Sequence, residues 1–202
     1  MAAMQDVVQI RQGRIDLSFH QVVGEVFAHV LRDPRLFDSA SAVEVTVTSA
    51  PHIDAFESLQ RGETDLLVGW FDGSHGAYLE PFQHDVVVVG QAASTPPVYS
   101  PYCIWGVPSY VPQSLVPDVA SLANPQVAAR FKAVKNQSGD ECRIIQGIAP
   151  GAGISRFSRE IIEKYRLDQQ CWQFRNGTQQ DCFGTFEQAV EREGESCFGF
   201  DN

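Results

Sequence analysis

The sequence predicts an α/β protein of two lobes, with mostly parallel sheets and flanking helices, on three observations. Short apolar or alternating runs take turns with helically spaced apolar residues from one end to the other. The charge balance changes near the middle: residues 1–100 hold 5 Arg, no Lys and 13 acids, whereas residues 101–202 hold 10 basic and 12 acidic residues. At the same place, residues 91–101 (Gln91 to Pro101) carry Pro96, Pro97 and Pro101 and read as an extended connection. The expected division is residues 1–94 for lobe I and residues 95–202 for lobe II.

The elements follow in order. Arg14 to Phe19 alternates polar and apolar residues and reads as a strand. Val22, Val23, Val26, Phe27, Val30 and Leu31 then recur at helical spacing until Asp33-Pro34 stops them. Val43 to Val47 is a second strand. Pro51 opens a helix through Ile53, Phe56 and Leu59, which Gly62 ends. Asp65 to Gly69 is a short strand delivering Trp70 at its carboxyl end. Val86 to Val89, β-branched throughout, reads as a strand covered on both faces.

Beyond the connection, Cys103 to Val107 reads as a strand and residues 118–134 as short helices interrupted at Pro125. Arg143 to Ile148 is a strand, and Ile154, Phe157, Ile161, Ile162 and Tyr165 mark a helix face. Cys171 to Phe174 is a strand, Phe183 to Val190 a helix, and Cys197 to Phe200 a last strand.

Composition excludes several functions. With 15 basic against 25 acidic residues and a net charge of −10, the chain lacks the cationic surface that nucleic-acid binding requires. No apolar run approaches the length of a membrane-spanning helix. All five His precede residue 85, and all five Cys (Cys103, Cys142, Cys171, Cys182, Cys197) follow residue 100 with no Cys-x-x-Cys pair, so no metal site is expected. The cysteines read as buried free thiols; the alternative is one disulfide between two of Cys142, Cys171 and Cys182.

Ligands of open α/β sheets gather at the carboxyl ends of strands, and two segments stand there. Val68 to Tyr78 places Trp70, Phe71, His75 and Tyr78 in a loop, either as ligand contacts or as cover for the sheet end. Gly147 to Ser155 joins a strand to a helix through Gly151-Ala152-Gly153. That turn serves either tight chain reversal or anion binding at the helix start. It has neither the Gly-Lys-Ser/Thr ending of a phosphate loop nor a third glycine at dinucleotide spacing. Ser18-Phe19-His20 and Asp72-x-Ser74-His75 contain nucleophile and base types without an elbow spacing or an orienting acid, so no enzyme is expected.

In order, these segments resemble one family. Leu59-Gln60-Arg61-Gly62-Glu63-Thr64-Asp65 followed by Gly69-Trp70 and His75-Gly76-Ala77-Tyr78-Leu79-Glu80, then Trp105-Gly106-Val107-Pro108-Ser109-Tyr110-Val111, then Pro150-Gly151-Ala152-Gly153-Ile154 with Tyr165-Arg166-Leu167-Asp168, are similar to the substrate-binding proteins of glycine betaine/choline-type ABC transporters. The likeness spans nearly the whole chain. It implies the two-lobed type II fold of periplasmic binding proteins, a small quaternary-amine zwitterion as ligand, no cofactor, and an ABC permease as partner and sole link to the membrane. It also implies a periplasmic or other extracytoplasmic location, with the signal peptide outside the given sequence.

The resemblance further implies site roles. Trp70 and Phe200 would be aromatic walls against the cation, since a quaternary ammonium has no N–H to donate. Gly153 and Ile154 would hold the carboxylate through backbone N–H groups, with Gly151 and Ala152 in the same turn, His75 as side-chain donor and Tyr78 beside it. Ala152 stands where some relatives carry a cage Trp, and Phe19, His20 or Trp105 would complete the cage. In the family the chain beyond this point returns to complete lobe I, so lobe I is expected to be incomplete. The expected consequence is a homo-oligomer by segment exchange or a longer natural chain. The same fold also serves as the effector-sensing domain of transcription regulators, which is the second expectation for function.

Overall fold

The computed structural model describes residues 7–36, 42–69, 73–89, 102–136 and 138–191. The chain divides into two units, Met1–Pro101 and Tyr102–Asn202. Among the described residues no helix is long and apolar enough to cross a membrane.

The first unit is built on three parallel strands in the order β2-β1-β3: β1 Val7–Ile15, β2 Ala42–Ala50 and β3 Leu66–Val68. β1 pairs with β2 over its whole length, from Val7↔Ala42 to Ile15↔Ala50, and with β3 from Gln12↔Leu66 to Arg14↔Val68. Helices α1 Ser18–Leu31 and α2 His52–Gln60 make the connections, and the single turn α3 Gly76–Leu79 follows β3. The first strand therefore starts earlier than its alternating pattern suggests, and Ser18 and Phe19 belong to the first turn of α1.

α1 buries its small residues rather than its large ones. Its large apolar residues do not form the packed side: Val22 is 64% and Val26 61% exposed, while His20, Gly24 and Ala28 turn inward. Small residues let the helix axis come close to the sheet. The buried Gln12 of β1 fastens it there, its Nε2 donating to Gly24 O at 2.8 Å. The core of this unit gathers Ile15, Ala55, Phe56, Leu79 and Phe82.

Val86 to Val89 is not a strand. Val86 and Val88 pack on that core while Val87 and Val89 face water at 86% and 90% exposure, so the run is covered on one side only. Its burial alternates, and it joins no ladder.

In the second unit β4 Val134–Lys135 pairs antiparallel with β5 Glu141–Gln146, which pairs parallel with β6 Trp172–Arg175. Helices α4 Pro125–Ala128, α5 Gly153–Lys164 and α6 Gln179–Glu191 surround this sheet. Short helices meet at Pro125 as expected: a 3-10 helix over Val119–Ala123 ends before it, and Pro125 starts α4, which Asn124 caps by accepting from the Gln126 N–H at 2.9 Å. Thr178 and Asp181 cap α6 reciprocally, the Thr178 N–H donating to Asp181 at 2.7 Å and the Asp181 N–H to Thr178 Oγ1 at 3.0 Å.

The core here is Val111, Leu122, Val127, Ala128, Phe131, Leu167 and Trp172, with Phe131 edge-on to Trp172 at 5.1 Å between ring centroids. The Trp172 indole N–H donates to Leu122 O at 2.9 Å.

Two further expectations give way in this unit. Cys103 to Val107 forms no strand: Tyr102 and Ile104 are 83% and 71% exposed. The free-thiol reading fails at two cysteines, since Cys142 and Cys171 form a disulfide with Cα atoms 4.7 Å apart. The register that sets Arg143 beside Trp172 also sets Cys142 beside Cys171. Cys182 is a half-buried free thiol, whereas Cys103 is exposed rather than buried. Cys197 and the last strand expected around Phe200 lie outside the described residues.

Candidate functional site

Because β1, β2 and β3 run parallel, their carboxyl ends share one edge of the sheet, and each is followed by a histidine. His20 lies in the first turn of α1, His52 is the first residue of α2, and His75 immediately precedes α3. All three are buried, at 1%, 5% and 1% exposure. Their ring centroids are 6.4 Å (His20–His52), 6.2 Å (His20–His75) and 5.5 Å (His52–His75) apart.

Aromatic rings close around them. Phe56 lies 5.3 Å from His75 and stacks on Tyr78 at 5.4 Å, and Phe19, half exposed, lies 5.4 Å from His20. Gly69, at the end of β3, has φ +116°, and a Cβ there would run into the His20 ring. Only glycine therefore lets the chain leaving β3 pass over His20.

Burial favours the neutral form of all three imidazoles. It pushes His20 down to about 4, with the His52 charge adding to the effect. It pushes His75 down to about 3, with the charges of His52 and His20 adding. His52 is lowered by burial as well. At neutral pH this surface offers ring faces and neutral hydrogen-bonding nitrogens, with no imidazolium charge. Among the described residues no three His, Cys, Asp or Glu side chains are arranged to hold a metal ion.

In the second unit the corresponding place is the turn from β5 into α5. Gly147 is required because a Cβ there would strike the far end of the Phe174 ring. Ala152 caps α5 in an extended conformation (φ −72°, ψ 140°) without a side-chain hydrogen bond, and Gly153 and Ile154 are the first two helical residues. Their N–H groups stand ahead of the first intrahelical bond and point out of the helix start.

Buried small residues set this helix on the sheet, as in α1. Ser155 Oγ donates toward Ala149 O at 2.8 Å and Ile148 O at 3.2 Å, locking the turn. Trp105 is drawn to α5 by its indole N–H, which donates to Ser158 Oγ at 2.8 Å, and its ring packs on the unit's core.

The structure thus brings His75 and Tyr78 together, sets Phe19 at the edge of the same group, and assembles Gly151, Ala152, Gly153 and Ile154 in one turn. Trp105 joins that turn's helix one turn further along. Trp70 and Phe200 lie outside the described residues. His52 escaped sequence reasoning altogether, and His20 entered it only as a base type in Ser18-Phe19-His20 and as a candidate cage residue. The signal that locates both is positional: a histidine in the first turn of a helix directly after a parallel strand.

No curated protein matches the sequence. A family model described as the substrate-binding domain of ABC-type glycine betaine transport systems matches residues 8–196, nearly the whole chain. The chain belongs to this family. Among solved structures, lactococcal OpuAC in its closed, liganded conformation with glycine betaine is similar at a TM-score of 0.55 and 13% identity. The match covers 92% of this chain and 61% of that one, so the chain spans less than two thirds of the length of its structural relative. At that identity the likeness speaks for the fold, which is the two-lobed type II fold of periplasmic binding proteins. The strand-end histidines and the α5 turn are accordingly features of a betaine-family substrate-binding domain.

Proposed function

We propose that this domain binds a small quaternary-amine zwitterion, such as glycine betaine, choline or a related compatible solute, and delivers it to an ABC permease without chemical change. The observation that carries the reading is the family match over residues 8–196. In the first unit Trp70 serves as an aromatic wall and His75 as a donor to the ligand carboxylate, with Tyr78 and Phe19 flanking. A neutral imidazole suits this task, because it donates a hydrogen bond without repelling the methylated ammonium. In the second unit the N–H groups of Gly153 and Ile154 take the carboxylate, in a turn shaped by Gly151 and Ala152. Phe200 and Trp105 supply aromatic surface. The Cys142–Cys171 disulfide supports an extracytoplasmic location, where such bonds persist.

Calorimetry with glycine betaine, choline, carnitine and proline betaine tests the ligand class. Micromolar binding of at least one is expected, and millimolar or absent binding of all four would sink it. Trp70→Ala should lose roughly 1–3 kcal/mol of affinity as a desolvated cation–π wall disappears. Unchanged affinity with an intact circular-dichroism spectrum would reduce Trp70 to packing.

A further inference from the structure

Ligand holding in the first unit calls on one histidine, yet three are buried together at the strand ends. We propose that His20, His52 and His75 form an acid-operated latch: as neutral rings they hold the strand-end surface closed, and a proton on any of them drives it open. The geometry carries this. The rings lie 5.5–6.4 Å apart, each at most 5% exposed, and each is anchored on a different element, namely α1, α2 and the loop before α3. A first imidazolium would be a buried cation, and a second would stand within about two ring widths of it, so relief comes only by moving the elements apart. His75 is the ring to give, because the α3 it precedes is a single four-residue turn.

The other charged groups on the packed elements are mostly engaged. On β1, Arg11 pairs with Asp65 and Arg14 with Glu25 of α1. Asp16, after β1, accepts from Gln21 Nε2 on α1, and Glu57 of α2 pairs with Arg61. Asp54 of α2 and Glu80 after α3 are exposed, as is His29 of α1. Tyr78 is the remaining titratable ring beside His75, at 6.4 Å. Burial lowers all three imidazoles relative to the unfolded chain, with mutual repulsion adding at His20 and His75, so the open form binds more protons. As pH falls below the ordinary histidine value, the closed-to-open ratio therefore falls by up to roughly tenfold per pH unit for each participating histidine.

This proposal rests on the ligand-binding reading only for its consequence, which is release of solute in acid. The test uses the whole oxidised chain without ligand. The five histidine C2–H signals and amide exchange are followed by NMR from pH 7.5 to pH 4. The His20, His52 and His75 signals should titrate well below the ordinary histidine value, together with loss of amide protection at the carboxyl ends of β1, β2 and β3. His52→Gln, which removes one titrating ring from a residue given no ligand contact, should make that loss shallower.

In a parallel arm, wild-type affinity for glycine betaine should fall at least tenfold from pH 7.5 to pH 5, and less in His52→Gln. Five histidines titrating alike with protection unchanged would overturn the latch, as would identical pH profiles for the two proteins. Should His52→Gln fail to fold, the wild-type titration still decides. Should betaine bind at no pH, the ligand-free arm still decides the latch, and only the ligand assignment falls.

Discussion

The two units solve the same architectural problem with different side-chain chemistry. Each sets a strand-to-helix turn at the carboxyl end of a parallel pair, and each presses a helix onto its sheet through small buried residues: Gly24 and Ala28 in α1, Gly153, Ser155 and Ser158 in α5. The first unit then fills the strand ends with three imidazoles, while the second ties neighbouring strands with the Cys142–Cys171 disulfide. Histidine is confined to the first hundred residues and cysteine to the rest. The lesson is that one unit is exposed to protons and the other to reductant, so each can be weakened without touching the other's main support.

The largest expected effect is in the second unit. Trp172→Ala removes a 3%-exposed ring from the centre of its core and leaves Leu122 O without its indole donor, at a cost of about 3–5 kcal/mol. Hydrogen exchange should show β5 and α5 losing protection while β1 and α1 keep theirs. Equal loss in both would mean that the units do not unfold separately.

Removing the disulfide with the pair Cys142→Ala and Cys171→Ala comes next. The bridge spans 29 residues of sequence, which corresponds to about 3–4 kcal/mol of loop-closure entropy. Denaturant unfolding should show that loss in the second unit alone, and dithiothreitol should reproduce it in the wild type. A first unit that weakens equally would break the contrast.

Acid acts in the other direction. The folded-state values of His20 and His75, about 4 and about 3, lie below the unfolded value of roughly 6.5. Between these limits the unfolded chain binds more protons, so their contribution is complete above pH 6.5 and is lost as pH falls toward 4 and 3. From pH 7 to pH 5 this amounts to about 2 kcal/mol for each of the two. Thermal unfolding followed by hydrogen exchange should place that loss in the first unit, and a loss of equal size in the histidine-free second unit would refute the assignment. The smallest effect is Ser158→Ala, which takes the acceptor from the Trp105 N–H and should cost about 1–2 kcal/mol. Trp105 fluorescence would shift if the ring is released, and an unmoved spectrum would show that packing alone holds it.

Reading the chain in order recovered most elements, because strand and helix periods are local. The β-α alternation, the turn through Gly151 and Gly153, and the loop carrying His75 were all legible. The failures share a cause. Val86 to Val89 has strand composition, yet a ladder needs a partner strand, and composition carries no information about one. In α1 the helical spacing of the large residues does not tell which face packs, and the packed face is the one that carries His20, Gly24 and Ala28. His52 was passed over because Pro51 was read as a helix start and the residue after it as ordinary.

Residue order alone determined the repeating α/β plan and the family, since periodicity and motif spacing are properties of the chain. Burial, pairing and the gathering of His20, His52 and His75 were decided by the folded arrangement. Which face of α1 meets the sheet depends on how closely its backbone can approach, which Gly24 and Ala28 permit. Which cysteines pair depends on the register of β5 against β6. Three histidines separated by 32 and 23 residues become neighbours only because parallel strands bring their carboxyl ends to one edge.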